Sequence, residues 1–335
     1  MNQTVLGIDI GGANLKYATA CGAAMARDFP MWLKPEQLAQ TLTTDLRDRF
    51  PELDFTSAVM AVTMTGELAD CFLDRGIGVD HIVRHTCQAA EALGIDDVAF
   101  YGVDGFFHTA EQACQNPDLI AAANWHALAN FVGQEIAPNA LLIDIGSTTT
   151  DIIPVLEKQV ATNARTDYDR LCQSTLVYVG CRRTPVCSLV TCLDHNGTST
   201  SVMNEVFATI DDAMLLLGHT EENGDDCCTA DNQPRTRVMA ANRLARMIGL
   251  DRRSIGIGQA EEFAQQIITV ARQRISMAIN QRGKHDTWVL SGHGEPLAEI
   301  PKGQHHLRLA DQLGHEVARS APAYAVARLR APLQP

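Results

Sequence analysis

The sequence lacks the features of a membrane, exported or nucleic-acid-binding protein. Basic residues are scarce, with 27 Lys and Arg against 40 Asp and Glu, and the formal net charge of −13 argues against general binding to nucleic acid or anionic membranes. No apolar run is long enough to span a bilayer, and the first residues carry no basic region typical of an export signal. We therefore expect a cytoplasmic protein without nucleic-acid or membrane partners.

The ten cysteines show neither a metal-binding nor a disulfide pattern. No two are spaced C-x-x-C, which disfavours a zinc site, and without an export signal they are expected to be reduced thiols. Aromatic residues are few, at 5%, but hydrophobic residues make up 46% of the 335 residues. This is an ordinary globular composition, and the length suits two domains.

One stretch combines the pattern of a buried strand with isolated acids. Residues 140–154 read A-L-L-I-D-I-G-S-T-T-T-D-I-I-P, which predicts a strand, a tight turn at Gly146 and a returning strand. A lone carboxylate such as Asp144 in an apolar strand is costly without a partner, so a cation or a set of donors is expected beside it. The candidate site residues here are Asp144, Gly146, Ser147, Thr148, Thr149 and Asp151.

The same pattern occurs near the start of the chain. Residues 5–16 read V-L-G-I-D-I-G-G-A-N-L-K, and a shift of 135 positions aligns Asp9 with Asp144 and Lys16 with Asp151. A repeat at this long spacing indicates a duplicated domain. Glycine turns let backbone N–H groups approach phosphate, and we expect Asp9 and Asp144 to hold a hydrated Mg²⁺ across a cleft. The candidate residues of this repeat are Asp9, Gly11, Gly12 and Lys16.

A third glycine turn and a polar strand end complete the expected cleft. Residues 288–295 read W-V-L-S-G-H-G-E, a short apolar strand that ends in Gly292 and Gly294. A second predicted strand runs into T-G-E-L, and ligands of open α/β sheets bind at such strand ends. Thr65 and Glu67 are therefore candidates, although an acid in the first turn of a helix is an equally good interpretation of Glu67.

Two arginines and an acidic loop belong to the second half of the chain. Arg182 and Arg183 lie in a predicted strand–turn–strand, where guanidinium groups suit a diphosphate or a carboxylate; a solvated turn is the equal alternative. The loop 221–237 carries Asp226 and Asp231. These acids either are solvated or assist a metal or an amine at the cleft.

Hydrophobic periodicity predicts the remaining elements. Predicted helices cover residues 35–50, 79–93, 117–132, 167–173, 203–217, 238–248, 260–281 and 322–329, and further strands cover 57–64, 98–101, 175–179 and 186–190. The helix over 117–132 carries Asn124, which is a candidate for the cleft wall.

The three glycine turns together resemble the phosphate-one, phosphate-two and adenosine motifs of the actin/Hsp70/sugar-kinase superfamily. The resemblance implies an α/β protein with a two-domain actin-like (ribonuclease H-like) ATPase fold, duplicated mixed sheets and a central cleft. The expected divisions are a first domain over 1–138, a second over 139–320 with an inserted substrate region at about 155–236, and a C-terminal helix over 321–335 that packs back on the first domain.

More specific segments resemble one group, the hydantoinase/oxoprolinase-related proteins of the tetrahydromethanopterin-linked one-carbon pathway. The segments are I-D-I-G-G-A-N-L-K at 8–16, T-M-T-G-E-L at 63–68, A-A-N-W at 122–125, D-I-G-S-T-T-T-D-I-I-P at 144–154, R-T-P at 183–185, E-V-F-A-T at 205–209 and D-N-x-x-R at 231–235. The resemblance covers about residues 4 to 330.

The resemblance implies a methanofuran-type biosynthetic condensation. Aminomethylfuran-methyl diphosphate loses diphosphate, and the phenol oxygen of γ-glutamyltyramine, or of tyrosine in bacteria, takes its place in an ether. Mg²⁺ at Asp9 and Asp144 would neutralise the leaving group, and loop N–H groups with Lys16 and Arg182 or Arg183 would add donors. A phenol has a pKa near ~10, so a general base is expected. The candidates for that base are Asp151, Glu67 and Asp226.

Two other function classes stay open. An ATP-dependent small-molecule kinase or a hydantoinase-like ATPase would use the same cleft, with Gly292 and Gly294 at the nucleotide. Lys16 keeps this alternative open, because the matching position in many phosphotransferases of this superfamily serves the transferred phosphate. A non-catalytic nucleotide-binding regulator would close the cleft without turnover. The sequence is also compatible with a homo-oligomer.

Overall fold

Two mixed sheets organise the chain, in a computed structural model that describes residues 4–331. The strands of the first sheet are β1 (Val5–Ile10), β2 (Asn14–Thr19), β3 (Ala24–Asp28), β4 (Val59–Met64), β5 (Asp97–Tyr101) and β6 (Phe107–His108). Their order is β3-β2-β1-β4-β5-β6. Strands β1, β4 and β5 run parallel, whereas β2 pairs antiparallel with β1, β3 with β2, and β6 with β5.

The second sheet repeats this arrangement. The later strands are β7 (Ala140–Ile145), β8 (Thr150–Leu156), β9 (Gln159–Val160), β10 (Leu176–Val177), β11 (Cys192–His195), β12 (Thr198–Ser201), β13 (Thr287–Gly292) and β14 (His305–Arg308). The sheet has the order β10-β8-β7-β13-β14, with β9 paired to β8, and β11 and β12 form a separate hairpin. Strands β7, β13 and β14 run parallel.

Helices flank both sheets. They are α1 (Leu38–Arg49), α2 (Arg75–Leu93), α3 (Ala110–Gln115), α4 (Pro117–Ile120), α5 (Asn124–Phe131), α6 (Asp167–Cys172), α7 (Val186–Leu189), α8 (Ile210–Leu216), α9 (Arg237–Arg246), α10 (Ile257–Asn280), α11 (Leu309–Leu313), α12 (His315–Arg319) and α13 (Ala321–Arg330). One π-helical turn, Val132–Ile136, follows α5. Within residues 4–331, no helix has both the length and the apolar character needed to cross a bilayer.

The two hairpins at the start of each sheet have the same turn geometry. Gly11 N donates to Asn14 O at 2.9 Å, and Gly146 N donates to Thr149 O at 2.9 Å. These hydrogen bonds stand 135 positions apart, which is the spacing of the sequence repeat. Together with the two mixed sheets, they confirm the predicted actin-like fold with duplicated sheets.

The carboxyl ends of β4 and β13, which lie beside these hairpins, occupy equivalent positions in the two sheets. In the parallel ladders Thr63 of β4 lies next to Asp9, and Ser291 of β13 lies next to Asp144. Each strand then enters a short 3₁₀ turn. The T-G-E-L segment and the third glycine turn therefore occupy equivalent places in the two sheets, a relation that their different glycine spacing hides in the sequence.

One hydrophobic cluster connects the two sheets. It contains buried residues of β1 and β4, of β7 and β8, and of helices α5 and α13. The ring of Phe131 on α5 meets that of Tyr324 on α13 edge-on, with centroids 5.5 Å apart. Helix α13 lies against β1 and α5, and α5 also reaches β8. Residues 332–335 of the predicted terminal segment lie outside the described residues.

The prediction of one helix over 117–132 was wrong. Helix α4 ends at Ile120 and α5 begins at Asn124, because Ala122 between them has a positive φ of 49°. A non-glycine residue in this region interrupts a right-handed helix, which periodicity does not reveal.

Two further elements in the second half were also wrong. The predicted strand 186–190 is the short helix α7, which follows Pro185 with its φ of −64°. The predicted helix 203–217 begins only at Ile210. Its start is set by Asp212, whose carboxylate accepts a hydrogen bond from Thr209 N at 3.0 Å and so caps the helix there.

Helix α13 approaches the first sheet closely at Gly7 of β1. A Cβ at Gly7 would lie 1.9 Å from Ala323 O. We expect Gly7→Ala to lower the free energy of unfolding by about 1–3 kcal/mol, because the added methyl group forces the backbones apart. Urea unfolding would measure the loss.

Gly258→Ala is the matched control, since nothing lies within 4 Å of a Cβ added there. It removes a glycine from α10, so its stability should equal or slightly exceed that of the wild type. Equal stability of the two variants would contradict the close contact of α13 with β1.

Candidate functional site

The two hairpin turns face each other across a cleft of about 730 Å³ that both sheets line. The sequence-predicted residues in its wall are Asp9, Gly11, Gly12, Lys16, Thr65, Asn124, Asp144, Gly146, Ser147, Thr148, Thr149, Asp151 and Arg183. The remaining predicted residues, Glu67, Arg182, Asp226, Asp231, Gly292 and Gly294, lie outside this wall.

At the first hairpin, an acid and a lysine form an ion pair. Asp9 is 2% exposed, and its Oδ2 accepts a hydrogen bond from Nζ of Lys16 at 3.1 Å. The two residues are cross-strand neighbours in β1 and β2. Burial opposes the ammonium charge, but the Asp9 carboxylate, with the acids of the second hairpin, outweighs burial and raises the pKa of Lys16. Lys16 is therefore a permanent cation in the cleft.

At the second hairpin, the aligned positions hold two acids. Asp144 and Asp151 are cross-strand neighbours in β7 and β8. Burial, followed by repulsion from Asp151, raises the pKa of Asp144 to about 6. Burial also raises the pKa of Asp151, although Arg170 opposes that shift. Two neighbouring carboxylates that repel each other favour binding of a cation between or beside them.

Arg170 on α6 holds the second acid in place, and the sequence analysis missed it. Its guanidinium is buried, pairs with Asp151 and, at 3.2 Å, with Asp167, and lies over the ring of Trp125 at 4.4 Å. Arg170 and Asp167 both line the cleft. The available signal was an acid three residues before an arginine on a predicted helix, a spacing that pairs the two side chains on one helix face.

The residues at the two hairpins fit a magnesium ion. Asp9 Oδ1 and the neighbouring Thr63 Oγ1 are buried and have no hydrogen-bond partner in the described part of the chain, and such atoms usually indicate an additional ligand or water. Within residues 4–331, no group of three His, Cys, Asp or Glu side chains could hold a metal. The site thus offers two carboxylates, Asp9 and Asp144, and Mg²⁺ commonly binds one or two carboxylates together with water and phosphate.

Both turns present backbone donors. Among the described residues, the N–H groups of Gly12, Ala13, Ser147, Thr148 and Thr149 make no hydrogen bond within the protein. Successive free N–H groups in a turn form a concave anion site. The two turns can therefore bind the oxygens of a diphosphate from both sides of the cleft.

The second turn is held by the segment that carries the two arginines. The N–H groups of Arg182 and Arg183 donate to Ser147 O at 3.0 and 2.8 Å. A Cβ at Gly180 would lie 2.4 Å from Thr148 N, so only glycine allows this approach. The arginine backbone and the anion-binding turn are consequently one unit.

Two aromatic side chains line the cleft, and sequence analysis did not identify either. Trp32 follows the first sheet's outer strand and is 42% exposed, and Tyr178 follows β10 and is 66% exposed. Neither belongs to a recognisable motif. Their rings give the polar cleft a surface that suits a flat aromatic ligand.

Glu67 supports the cleft from behind its wall. Its side chain is buried, Oε1 accepts a hydrogen bond from Ala122 N at 2.9 Å, and Oε2 is among the buried atoms without a partner in the described range. Burial raises the pKa of Glu67 to about 7. The carboxyl group thereby fixes the positive-φ residue that directs the chain toward Asn124 at the cleft.

The third glycine turn packs behind the cleft. A Cβ at Gly292 would lie 2.2 Å from Ile145 O, and one at Gly294 would lie 2.2 Å from Ile145 Cγ2. Both glycines therefore permit close contact between the ends of β13 and β7, and neither lines the cleft.

The two predicted loop acids are engaged in ion pairs. Asp226 accepts a hydrogen bond from Arg182 at 2.6 Å. The structure does not bring Asp231 to the cleft: its carboxylate is held by Arg243 at 3.0 Å and Arg246 at 3.3 Å. Asp231 thus connects its loop to helix α9.

Comparisons with known proteins give one family model and two relatives of the same name. The family model described as hydantoinase/oxoprolinase matches residues 58–332. A protein of Methanocaldococcus jannaschii, named (4-{4-[2-(gamma-L-glutamylamino)ethyl]phenoxymethyl}furan-2-yl)methanamine synthase, is 32% identical over 337 residues, which cover 98% of each chain. A protein of Methanococcus vannielii with the same name is 31% identical over 212 residues, or 60% of this chain and 95% of the relative.

Among solved structures, the nucleotide-free acetone carboxylase has a similar fold. The TM-score is 0.51 at 11% identity, and the match covers 98% of this chain and 70% of that chain. At this identity the likeness concerns the fold alone.

Burial of Glu67 predicts a specific pH dependence of stability. The pKa of Glu67 is about 7 in the folded protein, against 4.5 for an exposed glutamate. The folded state therefore binds more protons than the unfolded state between these values. Stability consequently falls as the pH rises from about 4.5 to about 7. Between pH 5 and pH 8, the wild type should lose roughly 2.5 kcal/mol of stability that Glu67→Gln retains. Urea unfolding at both pH values measures this loss.

Glu52→Gln removes an exposed carboxylate and serves as the control, since it should lose as much stability as the wild type. If Glu67→Gln and the wild type differ in stability by the same amount at pH 5 and pH 8, the raised pKa of Glu67 is contradicted.

Proposed function

Because the chain belongs to the hydantoinase/oxoprolinase family, we propose that it is a biosynthetic synthase of the methanofuran type. The reaction joins an aminomethylfuran-methyl diphosphate to the phenol of a tyramine- or tyrosine-type acceptor and releases diphosphate. The observation that carries the proposal is the pair of facing turns with free N–H donors beside Asp9 and Asp144. The names of the two relatives, which contain a phenoxymethyl–furan linkage, support the ether-forming reaction.

The two turns and Lys16 bind the leaving group in this proposal. Backbone N–H groups donate to the diphosphate oxygens from both sides, and the Lys16 ammonium adds a charge-assisted hydrogen bond. Asp9 and Asp144 would hold Mg²⁺, which when bound neutralises the negative charge that develops on the diphosphate. The proposal assigns no step to ATP, and phosphotransfer is the alternative that the relatives' names do not favour.

The bond change is a substitution at the furfuryl carbon. The bond from this carbon to the diphosphate oxygen breaks, and its electron pair leaves with diphosphate. The phenol oxygen forms the new carbon–oxygen bond and gives up its proton to a base. The furan ring stabilises the positive charge on the carbon between these events, and the aromatic side chains Trp32 and Tyr178 line the space for both rings.

Asp151 is the base that the geometry favours among the three candidates. It lines the cleft, its Oδ1 is held by Arg170, and burial raises its pKa toward that of the phenol. Glu67 lies behind the wall, and Asp226 is bound to Arg182. A carboxylate held by a buried guanidinium is oriented for proton transfer through its second oxygen.

We place the protein in the cytoplasm as part of this proposal. All ten cysteines are free thiols, which suits a reducing compartment.

Calorimetric titration with Mg²⁺ and diphosphate tests the leaving-group site. We expect Mg²⁺-dependent diphosphate binding, weakened at least about tenfold in Asp144→Asn, because a metal-binding carboxylate is lost. Asp194→Asn, on the exposed β11, is the charge-matched control and should bind as the wild type does. Much tighter binding of ATP, abolished by Asp144→Asn, would replace the synthase with the ATP-dependent alternative.

Turnover kinetics test the proposed base. Asp151→Asn should lower kcat by about 10²–10⁴-fold, the usual contribution of a general base, while diphosphate binding with Mg²⁺ persists. The Asp194→Asn control should keep full activity. An unchanged kcat in Asp151→Asn would exclude Asp151 as the base.

A further inference from the structure

A second pocket of about 180 Å³ adjoins the cleft, and Arg183 lines both. Its charged lining residues are Arg182 and Arg183, which precede α7, and Asp211 and Asp212, which lie in the first turn of α8. A pocket that contains charges of both signs suits a ligand group that also carries both.

The two acids are fixed from outside the pocket. Asp211 accepts two hydrogen bonds from Arg235, at 2.6 and 2.7 Å. Asp212 accepts one from Arg243 at 2.8 Å. Both acids are buried, at 7% and 3% exposure. Their carboxylates therefore form a rigid wall of hydrogen-bond acceptors, and the arginines behind them balance their charge.

Arg182 and Arg183 differ in whether an acidic side chain pairs with them. Arg182 is neutralised by Asp226 at 2.6 Å. Arg183 is exposed and forms no salt bridge or side-chain hydrogen bond within the described residues 4–331, and its guanidinium lies over the ring of Trp32, 5.8 Å from the centroid. Arg183 is thus an uncompensated cation at the border between the pocket and the cleft.

The ion pairs around the pocket balance without Arg183. They join Arg182, Arg235, Arg243 and Arg246 to Asp211, Asp212, Asp226 and Asp231. Four cations therefore face four anions, and Arg183 takes part in none of these pairs. An uncompensated guanidinium beside a cleft favours a carboxylate, which matches its planar fork.

We propose that this pocket binds the α-amino-acid head of the phenolic acceptor, with its carboxylate on Arg183 and its ammonium toward Asp211 and Asp212. The inference rests on the proposed function and names the acceptor class for the same site. The product named for the relatives carries such a head in its γ-glutamyl group, and tyrosine carries one on the phenol side chain itself.

The backbone of Arg183 connects the second pocket to the diphosphate-binding turn. The N–H group of Arg183 donates to Ser147 O in the diphosphate-binding turn at 2.8 Å. An acceptor held by the Arg183 side chain is therefore located relative to the leaving group, with its phenol in the cleft. Arg183 acts as a specificity-determining residue, and its loss should affect acceptor KM more than kcat.

Steady-state kinetics with three acceptors test the proposal, with the furan diphosphate saturating. γ-Glutamyltyramine and L-tyrosine carry the head in two positions, and tyramine has no carboxylate. For the wild type, we expect one of the two head-bearing acceptors to have a KM at least tenfold below that of tyramine. Arg183→Gln should raise that KM about 10- to 100-fold, as expected for loss of a charge-assisted hydrogen bond, and leave the KM of tyramine unchanged.

Two variants control the comparison. Arg183→Lys keeps the charge without the fork and should give an intermediate KM. Arg49→Gln removes an exposed arginine at the end of α1 and should match the wild type. Equal KM values for tyramine and the head-bearing acceptors, or an equal rise for all three in Arg183→Gln, would overturn the proposal.

Calorimetry separates failure of this inference from failure of the proposed function. If no acceptor is turned over, the synthase reaction fails, and γ-glutamyltyramine and L-tyrosine are titrated into the protein alone. Binding by the wild type that Arg183→Gln abolishes supports the pocket assignment. No binding of either compound, or equal binding by both proteins, overturns it.

Discussion

The electrostatic cost of burying carboxylates at the ends of paired strands governs the organisation of this cleft. An unpaired buried acid is unfavourable, and each half of the molecule meets that cost differently. Lys16 neutralises Asp9 across the first hairpin, whereas the aligned position of the second hairpin is itself an acid, Asp151, and its counter-charge comes from Arg170 on a helix. The duplicated fold therefore places one acid–lysine pair on one side, and on the other an acid paired with arginine beside Asp144, which has no salt-bridge partner in the described residues. This asymmetry makes the cleft suited to a metal-bound anion.

The relative position of the two halves depends on an apolar core, not on the cleft itself. Helices α5 and α13 contribute to one cluster with strands of both sheets, so the facing turns are held by burial of apolar surface. The start of α5 is in turn set by Glu67, whose carboxyl group binds Ala122 N. The interior thus positions Asn124 at the cleft through a single buried acid.

A site with phosphate-binding turns on both sides is suited to more than one chemistry, and neighbouring residues restrict the choice. Trp32 and Tyr178 add aromatic surface, and Arg183 leaves a positive charge at the border with the second pocket. These features fit a substitution between two aromatic substrates, one of which leaves diphosphate in the turns. The family match and the two synthase relatives support the same reaction.

The sequence by itself determined the features that depend on local pattern. Strand–glycine–strand motifs placed Asp9 and Asp144, and the 135-residue repeat identified the duplicated sheets, because glycine turns and short apolar runs are properties of neighbouring residues. Only the tertiary structure decided which charged groups are engaged and which are free. Arg170 lies 19 positions from Asp151, and Arg182 lies 44 positions from Asp226; such pairs leave no periodic signal. The division of the helix at Ala122 also depends on a distant residue, Glu67, 55 positions away, because a buried carboxyl group outweighs local helix propensity.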